Sequence, residues 1–182
     1  MSNNVNSDAP EVHLDELSTW IGRTESRSDR VTAAPVAAMS ATLDRDDGQP
    51  VTGDALPPLW HWMYFTPLAR QSDLDTDGLA TRSGFLPPVP LPRRMFAGGR
   101  FTFGHELTVG DDIERTSRVM DVNGKQGRSG SLVFVTVRHE ISDARGIAIN
   151  EEHDIVYRED PRPDARVAEP RAARTDESFS RH

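Results

Sequence analysis

The residues of this 182-residue chain that could do chemistry are few and clustered around its middle. His61 stands between two tryptophans, in Trp60-His61-Trp62. A histidine there can serve as a general base near neutral pH, which makes His61 the candidate catalytic residue. The competing reading is a satisfied core histidine on an apolar segment. Arg93 and Arg94 follow a proline-rich run that fixes their backbone, and arginine forks suit carboxylates and phosphates. Gly98 and Gly99 allow close backbone approach to a ligand, or simply turn the chain into a strand. Lys125 and Arg128 lie in the glycine-rich stretch NGKQGRSG and are candidates for phosphate contact. That stretch lacks GxxxxGK[ST], and GRSGS is not a GxSxG elbow, so neither nucleotide triphosphate binding nor a serine hydrolase is supported. Trp60 and Trp62 offer an apolar pocket wall. His105 follows the Gly98-Gly99 pair and reads either as ligand-facing or as a strand-end surface residue. His139 and His153 fall on neighbouring predicted strands. No histidine has metal-ligand spacing, so no metal is expected.

These residues must be positioned by helices first and strands later. Segments 14–21 and 31–43 read as helices, the second alanine-rich with Pro35 tolerated in its first turn. Leu56-Pro57-Pro58 opens an apolar run, and the spacing predicts a buried helix over 59–68. Segment 71–92 reads as a long loop carrying Pro87, Pro88, Pro90 and Pro92. Alternation then predicts strands over 100–109, 113–122, 132–141 and 147–157, with Asn123-Gly124 as a turn. Strands joined by turns make an antiparallel sheet, and wrapping it around the apolar helix is the simplest way to bury both.

Composition narrows the classes. The chain has no cysteine, which removes disulfides, thiolate metal sites and a cysteine nucleophile. No secretory leader and no apolar stretch long enough for a membrane is evident, so the cytoplasm is the default expectation. The net charge of −8 argues against nucleic acid as a partner. Between 93 and 128, however, basic residues outnumber acidic ones, which suits a small anionic ligand. Hydrophobic content is 36%, low for a chain folded throughout. The expected organisation is a domain over 11–160 between disordered segments 1–10 and 161–182.

The helix-then-sheet order, with PPLWHWMYF, GFLPPVPLPRRMFAGG, VGDDIE, GKQGRSGSLVFVTVRHEI and EEHDIVYR, resembles the N-terminal, fatty-acid-synthase-like dehydratase half of the MaoC-like hotdog hydratases and dehydratases. That group includes mesaconyl-CoA hydratase and type 2 3-hydroxyacyl-thioester dehydratase. The resemblance implies an α+β fold, a single hotdog in which an antiparallel sheet wraps a central apolar helix. It implies addition or removal of water across a 2-enoyl thioester of CoA or an acyl carrier, without a cofactor. Such chemistry needs an acid–base pair and dipoles aimed at the thioester oxygen. The family's Asp/His motif, of the form N-x-x-H-x-D, is missing here. The resemblance therefore implies a substrate-binding half completed by a second hotdog domain or subunit. A non-catalytic acyl-thioester-binding or structural hotdog is the alternative. Within this reading Trp60, Trp62, Arg93, Arg94, Gly98, Gly99, Lys125 and Arg128 are the substrate-binding candidates. Neither nucleic acid nor membrane is an expected partner.

Overall fold

Alternating side chains commit the second half of the chain to strands, and the strands pair into one sheet. The computed structural model describes residues 11–74, 78, 80, 84–127 and 130–160. Arg128 and the segments 1–10 and 161–182 lie outside the described residues. The elements run α1 (Leu14–Ser18), β1 (Thr24–Arg30), α2 (Ala33–Thr42), a 3-10 turn at Trp60–Met63, β2 (Arg93–Phe103), β3 (Asp112–Gly127), β4 (Gly130–Asp143) and β5 (Gly146–Arg158). The strands form a five-stranded sheet in the order β1-β3-β4-β5-β2, antiparallel throughout, which is the single α+β hotdog the resemblance implies. The edges are β1 and β2.

The inner face of the sheet is set by the period of two. On β4 it takes Val133, Val135, Val137 and Ile141, and on β5 Ile149 and Tyr157, all buried. Burying each such side chain contributes about 1.5–3 kcal/mol. A bulge between Val119 and Asp121 lets both Val119 and Val122 point inward from β3. Two apolar clusters result. One gathers Val36 of α2, Leu56, Tyr64, Phe65, Ile113, Ile141 and Ile149. The other gathers Leu17 of α1, Val89, Leu91, Val119, Val133, Val137 and Tyr157. The 84–92 stretch is therefore no plain loop: Pro87, Val89 and Leu91 are fully buried and cover one end of the sheet. The opposite face carries charged ladders, such as Arg100 bonded to Glu152 and Asp154, and Arg138 bonded to Glu152.

Three expectations are corrected. The helix over 59–68 is only the 3-10 turn Trp60–Met63, bounded by left-handed backbone at Leu59 (φ 71) and Phe65 (φ 57). An apolar run with prolines at its start satisfies helix rules locally. Tertiary bonds override them: the Phe65 N–H donates to Asp29 Oδ2 at 2.6 Å, and the Tyr64 hydroxyl donates to the Thr32 carbonyl at 2.8 Å. Asn123-Gly124 is not a turn. Both residues lie inside β3, paired with Phe134 and Val133. A Cβ on Gly124 would sit 2.5 Å from Leu14 Cδ1 of α1, so a larger residue there would push the Leu14 side chain aside. Gly98 and Gly99 are not a strand-entry turn either. They lie within β2, which starts at Arg93 rather than at residue 100, with a bulge between Phe96 and Gly98.

Candidate functional site

Between the two apolar clusters the inner face turns polar. Ser117 on β3, His139 on β4 and Glu151 on β5 lie in direct cross-strand register, and Phe101 of β2 completes the row. Glu151 and His61 are almost fully buried, at 2% and 3% exposure, and Ser117 is fully buried. A buried carboxylate is costly unless bonded, and Glu151 is bonded on both oxygens. His61 Nε2 lies 2.8 Å from Oε2, and the Trp62 indole N–H donates to Oε1 at 2.8 Å. His153 Nε2 closes on the same Oε1. Ser117 Oγ bonds His139 Nδ1 at 2.8 Å, and the His139 and His153 rings meet edge-on at 5.0 Å.

The electrostatics follow from this packing. Burial alone would raise the Glu151 carboxyl, but the His61 bond, the His153 charge and the Trp62 bond outweigh it and hold the group below its ordinary range. Glu151 is thus an ionised acceptor, and His61 Nε2 donates to it. Burial, then the neighbouring His153 and Arg115 charges, push His139 down to about 4. The same burial lowers His153, partly offset by Glu151. Around the cluster stand Trp62, Phe96, Phe101 and Phe103, whose rings pack on His61, His153 and one another. Chemically this is a carboxylate wedged among imidazoles, walled by aromatics.

Beside it opens a cleft of about 610 Å³. Its walls are Phe65, Phe85, Leu86, Ile155 and Tyr157, and its charged lining is Glu25, Arg27, Arg94 and Arg115. Because the sheet curls, residues of both edge strands, β1 and β2, reach this one cleft. Arg115 lies over the Phe65 ring at 5.0 Å, and Phe96 both lines the cleft and packs on His153. The cleft and the histidine row are therefore neighbours.

The residues expected to bind or act are only partly brought together. His61 sits in the buried row and Trp62 caps it with its ring exposed. Arg94 lines the cleft. Gly99 pairs with His153, and a Cβ there would come within 3.2 Å of the Phe101 and Phe96 rings, while Gly98 pairs with Asp154. Trp60 instead packs on the first apolar cluster under the Arg45 guanidinium. Arg93 pairs with Asp160 at 2.7 Å, and Lys125 of β3 lies over the Phe134 ring of β4; neither lines the cleft. His105 bonds Asp143 at 3.1 Å, away from both. There burial raises Asp143 most, yet bonds from Arg145 and His105 bring it to about 2. No group of three or more His, Asp or Glu among the described residues could hold a metal ion. Nor is any helix among them long and apolar enough to cross a membrane. Glu151, Ser117, Arg27 and Arg115 are the site residues that sequence reasoning missed. The signal was there for three of them, as polar residues at inward positions of otherwise apolar strands.

Comparison with known proteins agrees with this architecture. The chain is 49% identical over 144 residues to the mesaconyl-C(4)-CoA hydratase of Chloroflexus aurantiacus. The alignment covers 79% of this chain and 51% of that protein, so the chain spans about half the length of this curated relative. Its fold matches a chain of the ChsH1–ChsH2 complex of Mycobacterium tuberculosis with a TM-score of 0.59 at 12% identity, over 86% of this chain and 95% of that one. Residues 59–182 match the hydroxyacyl-thioester dehydratase type 2 family, and the chain belongs to that family.

Proposed function

We propose that this chain binds the acyl thioester for a hydratase or dehydratase acting across a 2-enoyl thioester, and that a second hotdog domain or subunit supplies the acid–base pair. The observation that carries the reading is the position of the cleft. It is apolar-walled, lined by arginines, and bordered by the edge strand β2, where Met95, Phe96 and Phe103 are more than 40% exposed. Exposed apolar residues along a free edge mark a surface that a partner covers. A second sheet added at β2 would close the cleft and shield these rings from water. The activity named for the Chloroflexus aurantiacus relative, hydration of mesaconyl-C(4)-CoA, fits a ligand with an apolar stem and anionic groups.

In the reaction, water adds to the β-carbon while one proton leaves it for a base. A second proton reaches the α-carbon, and negative charge passes through the thioester oxygen. The chain's own base candidates are already engaged, since Glu151 and His61 satisfy each other out of reach of bulk water. In this reading they are structural, and the cleft residues orient the acyl group. Titration calorimetry of the full chain with crotonyl-CoA and mesaconyl-CoA tests it. Binding of at least one thioester clearly tighter than that of crotonate supports the reading. A folded chain that binds neither thioester overturns it.

A further inference from the structure

The inner face of the sheet is covered on β4 and largely on β5, and left open on β2. Cross-strand register sets Phe96, Phe101 and Phe103 of β2 beside Ile155, Glu151 and Ile149 of β5, on the same face. Glu151 and Ile149 are buried, whereas Phe96 is 59% exposed and Phe103 45%. Trp62 joins this strip at 51% exposure, its ring 6.3 Å from Phe96 and 5.7 Å from Phe101. Phe101 in turn stacks on Phe103. Gly99 keeps the strip continuous, since a Cβ there would come within 3.2 Å of the Phe101 and Phe96 rings. Half-exposed rings of this number present about 300 Å² of apolar surface, comparable to the largest patch on a typical monomer. Patches of that kind mark a surface that something else covers.

The length of the strip decides between occupants. The rings point off the sheet, so what shields them is an element lying on this face. From Phe96 to Phe103 the strip runs about 23 Å along the strand. A helix of that length needs about 15 residues. The chain's own element beside the strip is the 3-10 turn Trp60–Met63, four residues long, which spans only about 8 Å. Its His61 and Trp62 are already tied to Glu151. α1 and α2 spend Leu17 and Val36 on the two apolar clusters. A second copy of this chain would bring the same short turn, the same committed helices and a second open strip. We infer that the strip seats a long apolar helix of an unlike hotdog domain, not a second copy. The inference rests on the second-hotdog reading above and names the element by which that partner docks. The helix side that meets the strip is apolar, because the inward residues from Phe96 to Phe103 carry no charge. Phe96 also lines the cleft. The docked helix thereby adjoins the acyl cleft, and docking and acyl binding strengthen each other reciprocally.

The test replaces Phe103 of the full chain by the photo-crosslinking residue p-benzoylphenylalanine, in cells that make the protein naturally. The same replacement of Leu43, which is 54% exposed at the end of α2, is the control. The adduct at 103 is expected to map by mass spectrometry to a helix of a hotdog domain of different sequence, with none at 43. Phe96→Glu in the crosslinking chain lowers the yield of that adduct about 10-fold or more, the range for a residue central to an interface. It leaves the melting temperature of the isolated chain unchanged. The purified wild type sediments as a monomer at micromolar concentration. An adduct on a second copy, on residues 161–182 of this chain, or on nothing overturns the inference. So does a purified wild type that is a dimer and that Phe96→Glu dissociates. A recovered pair that binds neither crotonyl-CoA nor mesaconyl-CoA supports the helix seat and overturns the acyl-thioester reading instead.

Discussion

Glu151→Leu lowers stability by about 3–5 kcal/mol, the range for removing one partner of a buried ionic pair. For a domain of this size that is a melting temperature lower by about 10 °C. The reason is the number of donors that the carboxylate serves. His61 Nε2 and the Trp62 indole N–H both end on it, and His153 closes on the same oxygen as the indole. Leucine has a similar volume but accepts nothing. Buried His61 is left without its acceptor in an aromatic surround, and an unmade buried bond costs more than a made one contributes. Glu151→Gln keeps the shape and one acceptor oxygen, and turns its amide toward the remaining donors. Its expected loss is smaller, about 1–3 kcal/mol. Thermal unfolding followed by circular dichroism at pH 7 measures both. A Glu151→Leu protein within about 1 kcal/mol of the wild type would show that the carboxylate does not hold the row together.

The second large effect is acid lability. His139 is held neutral in the fold, with its value down to about 4 because of burial first and the His153 and Arg115 charges next. It faces Ser117, His153 and Glu151 from the neighbouring strands, and the charges of Arg115 and His61 also reach it. Unfolded, its value is about 6.5. Above that pH both states carry neutral His139, and the shift costs nothing. As pH falls below it, the unfolded chain takes up a proton that the folded chain refuses, so stability is lost down to about pH 4. The loss attributable to His139 is on the order of 3 kcal/mol. His153 is lowered too and works in the same direction. Glu151 adds to the loss at lower pH, because a carboxyl held below its ordinary value gives up its stabilisation once it is protonated. Denaturant unfolding between pH 7 and pH 4.5 reads this out. His139→Gln is expected to flatten the dependence over that interval. Parallel wild-type and His139→Gln curves would contradict the assignment.

How much of this was legible in the sequence differs from element to element. The β4 and β5 strands were readable because Val133, Val135, Val137 and Ile141, and Ile149, Ile155 and Tyr157, keep to one face at a period of two, whereas β3 was readable only as far as residue 122, since Asn123-Gly124 inside it carries a turn signal. β1 was not readable. Its TESRSDR sequence has no apolar alternation and is almost wholly exposed, and it is a strand because its backbone pairs with β3. The 3-10 turn at Trp60–Met63 reads locally as a longer helix because its apolar residues and leading prolines fit a buried helix start. What limits it is the bond from Phe65 to Asp29, a contact between distant residues that no local window contains. The same applies to the site. His61 and Arg94 stood out as residue types in suggestive surroundings. Glu151, Ser117 and Arg115 could be noticed only as polar residues on an inward face. Their meeting depends on cross-strand register, which one sequence does not specify.

The central claim is that this chain holds an enoyl thioester in its cleft and does not by itself supply the acid–base pair. The direct measurement is loss of enoyl absorbance from mesaconyl-CoA and crotonyl-CoA with the purified, folded chain at high concentration, beside His61→Ala. The account predicts no turnover above background from either protein. Turnover by the wild type that vanishes in a folded His61→Ala would contradict it, and would make the buried His61–Glu151 pair the catalytic base.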